Sequence, residues 1–259
     1  MSNYWQDRMA GAQTKLTNKT LKQIERQMRK YYKQATEQVM QDFEDTYNKL
    51  LATVDAGREP TPADLYKIDK YWKMQGQLKE ELRKLGSRQI KALTEAFETN
   101  FFDVYFSIGL EGIEAFNTID EAAVKQIINQ IWVADGKSWS QRIWDNTEKL
   151  AQSLNDELIN CVVSGKPASS LKKALIERFN VSYSAADSLA RTELAHIQTQ
   201  AAKQRYEDYG IERVQIWADY DERRCKICGN LHKTIYPVGA AIPIPAHPRC
   251  RCCIVPVVE

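Results

Sequence analysis

Only three histidines, His196, His232 and His247, occur in the 259 residues, which leaves few general bases for a catalytic site. No G-x-S-x-G turn and no H-E-x-x-H pair is present, so the serine-hydrolase elbow and the zinc-hydrolase helix are excluded. The zinc-deaminase pattern of H-x-E with P-C-x-x-C also fails, because Cys225 follows Arg224 and neither His196 nor His247 precedes an x-Glu. Gly165-Lys166-Pro167 is a turn rather than a phosphate loop: Asn160 stands where the loop needs glycine, and Pro167 where it needs Ser or Thr. No apolar run approaches the roughly 20 residues that cross a bilayer, and the opening Met-Ser-Asn-Tyr-Trp-Gln-Asp-Arg has no apolar signal core. A soluble chain made in a reducing cytoplasm, with no membrane partner, is expected. The net charge of +2 and pI near 8.1 are too mild to announce nucleic acid by themselves. There is no low-complexity tract and no internal repeat.

Glycine is sparse in the first two thirds, while 27% of the chain is charged; together these predict long, well-solvated helices. The first is expected from Thr14 to Val54, with an apolar stripe of Leu21, Ile24, Met28, Tyr31, Ala35, Val39, Phe43, Tyr47 and Leu50. Lys15, Lys19, Lys22, Arg26, Arg29 and Lys33 gather on a different face. That face reads as solvated surface, with contact to DNA or to an acidic partner as the functional alternatives. Asp55–Pro60 breaks the helix, and Thr61-Pro62-Ala63-Asp64 restarts one that carries Leu65, Ile68, Tyr71, Trp72, Met74, Leu78 and Leu82 up to Gly86. Further helices are expected at Ser87–Ser107, Ile119–Trp132, Trp139–Val163, Ala168–Phe179 and Ser184–Tyr209, the last stopped by Gly210. The aromatic run Phe101–Phe106 reads as core packing. Beyond Gly210 the period changes: Val214, Ile216 and Ala218 alternate as in a strand, and Ile254–Val258 can pair with it, Pro256 favouring an edge.

Five of the six cysteines fall in the last 35 residues, as Cys225-x-x-Cys228 and then His247-x-x-Cys250-x-Cys252-Cys253. Two short clusters of thiolate and imidazole are the usual sequence form of a structural zinc site. Reduced core packing and disulfides are the other readings, but a reducing compartment disfavours bridges. The prolines and glycines between Cys228 and His247 predict turns, and a loop-rich module with little apolar sequence needs a metal clip to fold. One Zn²⁺ on Cys225, Cys228, His247 and Cys250 is expected. Cys252 is the reserve for Cys250, since residues two apart in an extended segment face the same side. His232 is a further candidate, while His196 reads as a satisfied, half-buried helix residue. Arg191 and Glu193, two apart on a helix, anchor it to separate neighbours. Asp221–Arg224 reads as a charged turn into the knuckle.

The ordered set Ala190-Arg-Thr-Glu193, Trp217, Asp221-x-Arg-x-Cys-x-x-Cys228 and Pro245-x-His-Pro-x-Cys-Arg-Cys252 resembles the head-morphogenesis domain of tailed bacteriophages, the Mu F-like family of minor head proteins. The matching region runs from about Gly165 to Pro256. The N-terminal part, with Tyr4-Trp5, Tyr71-Trp72 and Leu82-x-x-Leu85-Gly86, is similar to minor head proteins of phages or prophages of low-GC Gram-positive bacteria. The resemblance implies a non-enzymatic virion protein, assembled in the bacterial host cytoplasm and carried in the head. It implies portal and capsid or scaffold proteins as partners, and a part in genome packaging or delivery. Many members carry Arg and His where this chain has Cys225 and Cys228, so the metal site rests on the spacing in this chain alone. Some relatives fuse a toxin domain after this one; the end at Glu259 leads us to expect none here. The expected class is mainly α with a small α+β C-terminal part: a long-helix bundle followed by a zinc-clipped, loop-rich module with short strands. The corresponding division is a helical body over 1–164, a head-morphogenesis domain over 165–259, and a zinc module within it at 211–259. A nucleic-acid-binding zinc protein and, less favoured, a metal-dependent nuclease are the competing functions.

Overall fold

The computed structural model describes residues 4–51, 69–109, 119–218 and 224–257. Among them are six helices: α1 (Tyr4–Leu51), α2 (Asp69–Ser107), α3 (Glu121–Ile128), α4 (Trp139–Val163), α5 (Ala168–Asp208) and the short α6 (Lys226–Leu231). Three short strands complete the fold: β1 (Arg213–Trp217), β2 (Ile235–Pro237) and β3 (Cys253–Pro256). The expected break at Asp55–Pro60, the restart at Thr61–Asp64 and the Asp221–Arg223 part of the charged turn lie outside the described residues.

Two compact units are each built from several stretches of chain. One gathers the described residues of Met1–Glu25, Ala92–Trp139 and Ser188–Glu259; the other gathers those of Arg26–Lys91 and Ser140–Asp187. The second unit is helical, its core supplied by Met28, Val39 and Phe43 of α1, Leu82 of α2, Leu154 of α4 and Leu175 of α5, all nearly inaccessible. The buried stripe of α1 uses Tyr32 rather than the expected Tyr31. The reason is polar: the Tyr32 hydroxyl lies 3.0 Å from Ser182 Oγ and accepts from Asn146 Nδ2 at 3.3 Å. These bonds satisfy a buried hydroxyl that would otherwise be costly.

Three helix boundaries differ from expectation. α1 begins ten residues before Thr14; its added turns bury only the small Ala10 and the hydrogen-bonded Gln13, which leave no apolar stripe in the sequence. α2 runs straight through Gly86. A Cβ there would lie 2.5 Å from the Trp144 ring, so the glycine admits a close ring contact rather than stopping the helix. α5 is one helix where two were expected, uninterrupted across 180–183; no Gly or Pro stands there to break it. It ends as predicted at Gly210, whose φ of +70° lets the Ile211 amide reach back to the Tyr206 carbonyl.

The sheet belongs to the first unit and has the order β2-β1-β3, both pairings antiparallel. Val214 faces Pro256 and Ile216 faces Ile254, which places Pro256 on an edge strand as the sequence predicts. β2, inside the segment expected to be turns only, pairs Tyr236 with Val214. The start of α1 packs on this sheet, with Ala10 in one apolar cluster with Trp217, Cys253 and Val255. Gln13 Nε2 donates to the Ile254 carbonyl and to Tyr206 Oη, which also donates to that carbonyl. The chain is thus mainly helical with a small antiparallel sheet near its C-terminal end.

Candidate metal centre

The C-x2-C segment folds as an N-capped turn of helix. Cys225 is the cap of α6 in extended conformation, and its sulfur accepts the Cys228 amide at 3.4 Å. This backbone hydrogen bond leads the causes that lower the Cys225 pKa, ahead of the burial that opposes it. Cys228, one turn on, is buried and faces the same side. The second cluster comes from the turn closed by Cys250 N and the His247 carbonyl at 3.2 Å, with Arg249 in the left-handed region at φ 61°.

The two turns converge. His247 Nε2 lies 3.2 Å from Cys225 Sγ and 3.0 Å from Cys228 Sγ, and Cys228 Sγ lies 3.7 Å from Cys250 Sγ. Bonds of about 2.3 Å from a tetrahedral zinc ion to sulfur would set two thiolates about 3.8 Å apart, so the sulfur pair already has the spacing of a ligand edge. Cys225, Cys228 and His247 form one group able to hold a metal ion, and Cys228, Cys250 and Cys252 form a second that shares Cys228. All five expected positions are therefore brought together, with both Cys250 and Cys252 beside Cys228. His247 is oriented for ligation: its Nδ1 is 2.8 Å from the Pro248 carbonyl, an arrangement in which Nδ1–H donates and Nε2 keeps its lone pair for the sulfur side.

Hydrogen bonding and burial push the crowded thiols in opposite directions. The Cys252 thiol hydrogen bond, ahead of opposing burial, brings Cys250 down to about 5. Burial pushes Cys228 up to about 12, and the bond to Cys250 pushes Cys252 higher still. For His247, burial disfavours the charged ring, but the Pro248 carbonyl and the Cys250 and Cys225 sulfurs outweigh it and raise the pKa. A divalent cation is the partner that lets such thiols ionise together. A soft, sulfur-rich donor set of this geometry fits Zn²⁺.

Two residues of the sequence reading stand apart from the site. His232 Nδ1 accepts the Ala218 amide at 3.2 Å, and its ring meets the Trp217 ring edge-on; the bond to the strand end occupies the nitrogen a metal would need. His196 is more deeply buried than expected, 7% exposed, and lies stacked on Trp132 at 4.3 Å. Its Nε2 has no hydrogen-bond partner among the described residues, so it is not the satisfied helix residue the sequence suggests. Cys253 turns away into the sheet cluster, and Cys161 is buried in the helical unit.

The Ala190–Glu193 motif explains itself in this setting. Arg191 reaches Glu25 at 3.4 Å, and Glu193 accepts the Trp132 indole N–H at 2.8 Å, two separate anchors as expected. Sequence reasoning missed Thr192, whose Oγ1 accepts the Arg249 amide at 3.0 Å and so ties the ligand turn to α5. A lone hydroxyl between two charged residues gave no signal of that role. Lys15, Lys19, Lys22, Arg26, Arg29 and Lys33 of α1 are all exposed. Lys15, Lys19 and Lys22 line a groove in the first unit, whereas Arg29 stacks over Tyr183 and Lys33 lies 3.8 Å from Glu37. Among the described residues no helix is long and apolar enough to cross a membrane.

Neither a curated protein nor a solved structure matches this chain. Residues 152–255 match the family model described as phage Mu protein F like protein. That span takes in α5, the knuckle, the ligand turn and nearly all of the sheet, and over this stretch the chain is similar to the Mu F-like family, which supports a phage head-morphogenesis domain here.

Proposed function

We propose that the protein is a minor capsid protein of a tailed bacteriophage, which docks on the portal and capsid interior and aids head assembly and genome packaging or delivery. The family match over residues 152–255 carries this reading. In the same reading one structural Zn²⁺ is held by Cys225, Cys228, His247 and Cys250 or Cys252. It clips the knuckle to the turn that precedes β3, and the protein works without catalytic turnover. The donor set supports that view, because sulfur-rich zinc shells are closed structural sites rather than sites with an open position. Long helices with charged outer faces suit a protein that makes extended contacts within a larger particle.

Co-expression with portal and coat proteins, followed by sedimentation of the heads, tests the assignment. The protein is expected to co-sediment with heads and to be lost from them when the portal is omitted. Absence from purified heads, or metal-dependent DNA cleavage that disappears in Cys250→Ser, would overturn it.

A further inference from the structure

We propose that the groove beside the first turns of α1 binds the phosphate backbone of nucleic acid. The groove, of about 1120 Å³, lies wholly in the first unit, between α1, the end of α2 at Ser107 and the end of β1 at Trp217. Lys15, Lys19 and Lys22 stand at i, i+4 and i+7, so one helix face points all three ammonium groups into it. Each is exposed, and none has an ion-pair or hydrogen-bond partner among the described residues. Small and polar neighbours, Gly11 and Asn18 among them, leave room for a bulky anion, and no atom lies within 4 Å of where a Gly11 Cβ would be. Asp7 is the one carboxylate in the lining, and it is already engaged by the Trp217 indole N–H at 3.1 Å.

Positive charge continues beyond that wall. Lys233 sits 5.5 Å from the centre of the Trp217 ring, and residues 224–257 contain Arg224, Lys226, Lys233, Arg249 and Arg251 without a single Asp or Glu. At about 1.5 Å per helical residue, Lys15 to Lys22 extends about 10 Å, which matches about three nucleotide steps of one duplex strand at about 3.4 Å each. An acidic protein surface is the weaker fit. Protein interfaces centre on large apolar or aromatic anchors, and none of the exposed large hydrophobic side chains among the described residues lines this groove. Arg29 and Lys33 do not line the groove and have partners of their own, so they serve as the control.

Fluorescence anisotropy with a short, random-sequence DNA duplex tests the groove. The wild-type chain is compared with K15Q/K19Q/K22Q and with the control R29Q/K33Q, all three checked for equal thermal midpoints. The wild type should bind without sequence preference, and affinity should fall steeply with salt. The triple variant should lose about tenfold or more in affinity, and the slope of log affinity against log salt should shrink by about three, one for each lost phosphate contact. The control should retain both. No salt-dependent binding by the wild type, or an unchanged triple variant, overturns the proposal. So does polyglutamate that competes for these lysines as strongly as DNA does. The phage-head reading supplies only the setting in which such DNA is met. Recovery in heads is scored separately, so a protein found in heads that ignores DNA refutes the groove alone, and one that binds DNA but stays out of heads refutes the head role alone.

Discussion

The His196 imidazole is enclosed against the Trp132 ring with Nε2 unbonded among the described residues, and burial lowers its pKa to about 4 from the ordinary 6.5. Between those two values the unfolded chain binds a proton that the native state refuses. Stability therefore rises with pH across this window: the contribution is complete above about pH 6.5 and is lost as the pH falls toward 4. The full shift is worth about 3 kcal/mol. Denaturant unfolding of the wild type and of His196→Gln at pH 7 and pH 4.5 isolates it. The wild type should lose more stability on acidification than the variant, and parallel losses would remove His196 as the source. The candidate ligands titrate in both proteins and cancel in the comparison.

At the scale of the elements, packing overrides local preference where the helices depart from their sequence signals. Gly86 costs α2 up to about 1 kcal/mol of helix propensity relative to alanine, yet an alanine Cβ would collide with the Trp144 ring at 2.5 Å. Overpacking of that kind costs about 1–3 kcal/mol, so the collision outweighs the propensity. Gly86→Ala should destabilise the protein while Trp144 is present and stabilise it in a Trp144→Ala background. A stabilising Gly86→Ala in the wild type would mean the ring moves aside freely. The same competition sets what the sequence could reveal. Periodicity located α4 and most of α1 because their buried faces are apolar. It missed the first turns of α1, Tyr4–Gln13, where the small Ala10 and the hydrogen-bonded Gln13 are the buried residues and neither makes an apolar stripe. The clustering of Cys225, Cys228, His247, Cys250 and Cys252 was legible because thiolate and imidazole chemistry needs particular residue types at short spacings. The Thr192 tether was not, because a hydroxyl-to-amide bond needs only a generic hydroxyl whose partner lies 57 residues away.

For the molecule as a whole, the proposed metal centre implies that the C-terminal module and the helical core draw on different sources of stability. Residues 224–257 hold short strands and turns, whereas α4 and the middle of α1 carry fully buried apolar side chains from Met28 to Phe43 and from Ile143 to Leu158. Chelation should therefore raise amide exchange through 224–257 and β1 while α4 and Met28–Phe43 stay protected. Uniform loss of protection would show instead that the centre supports the entire fold. The register of the sheet carries a further consequence, for the route by which the chain folds. Trp217 and Cys253 are paired across β1 and β3 although 36 residues separate them, and closing so long a loop is slow because its entropy must be surrendered before any contact forms. Cys225 follows β1 closely and Cys252 directly precedes β3. A cation captured early by these side chains would turn a distant pairing into a nearly local one, so a metal bound at the proposed centre would act as the nucleus from which the sheet zips.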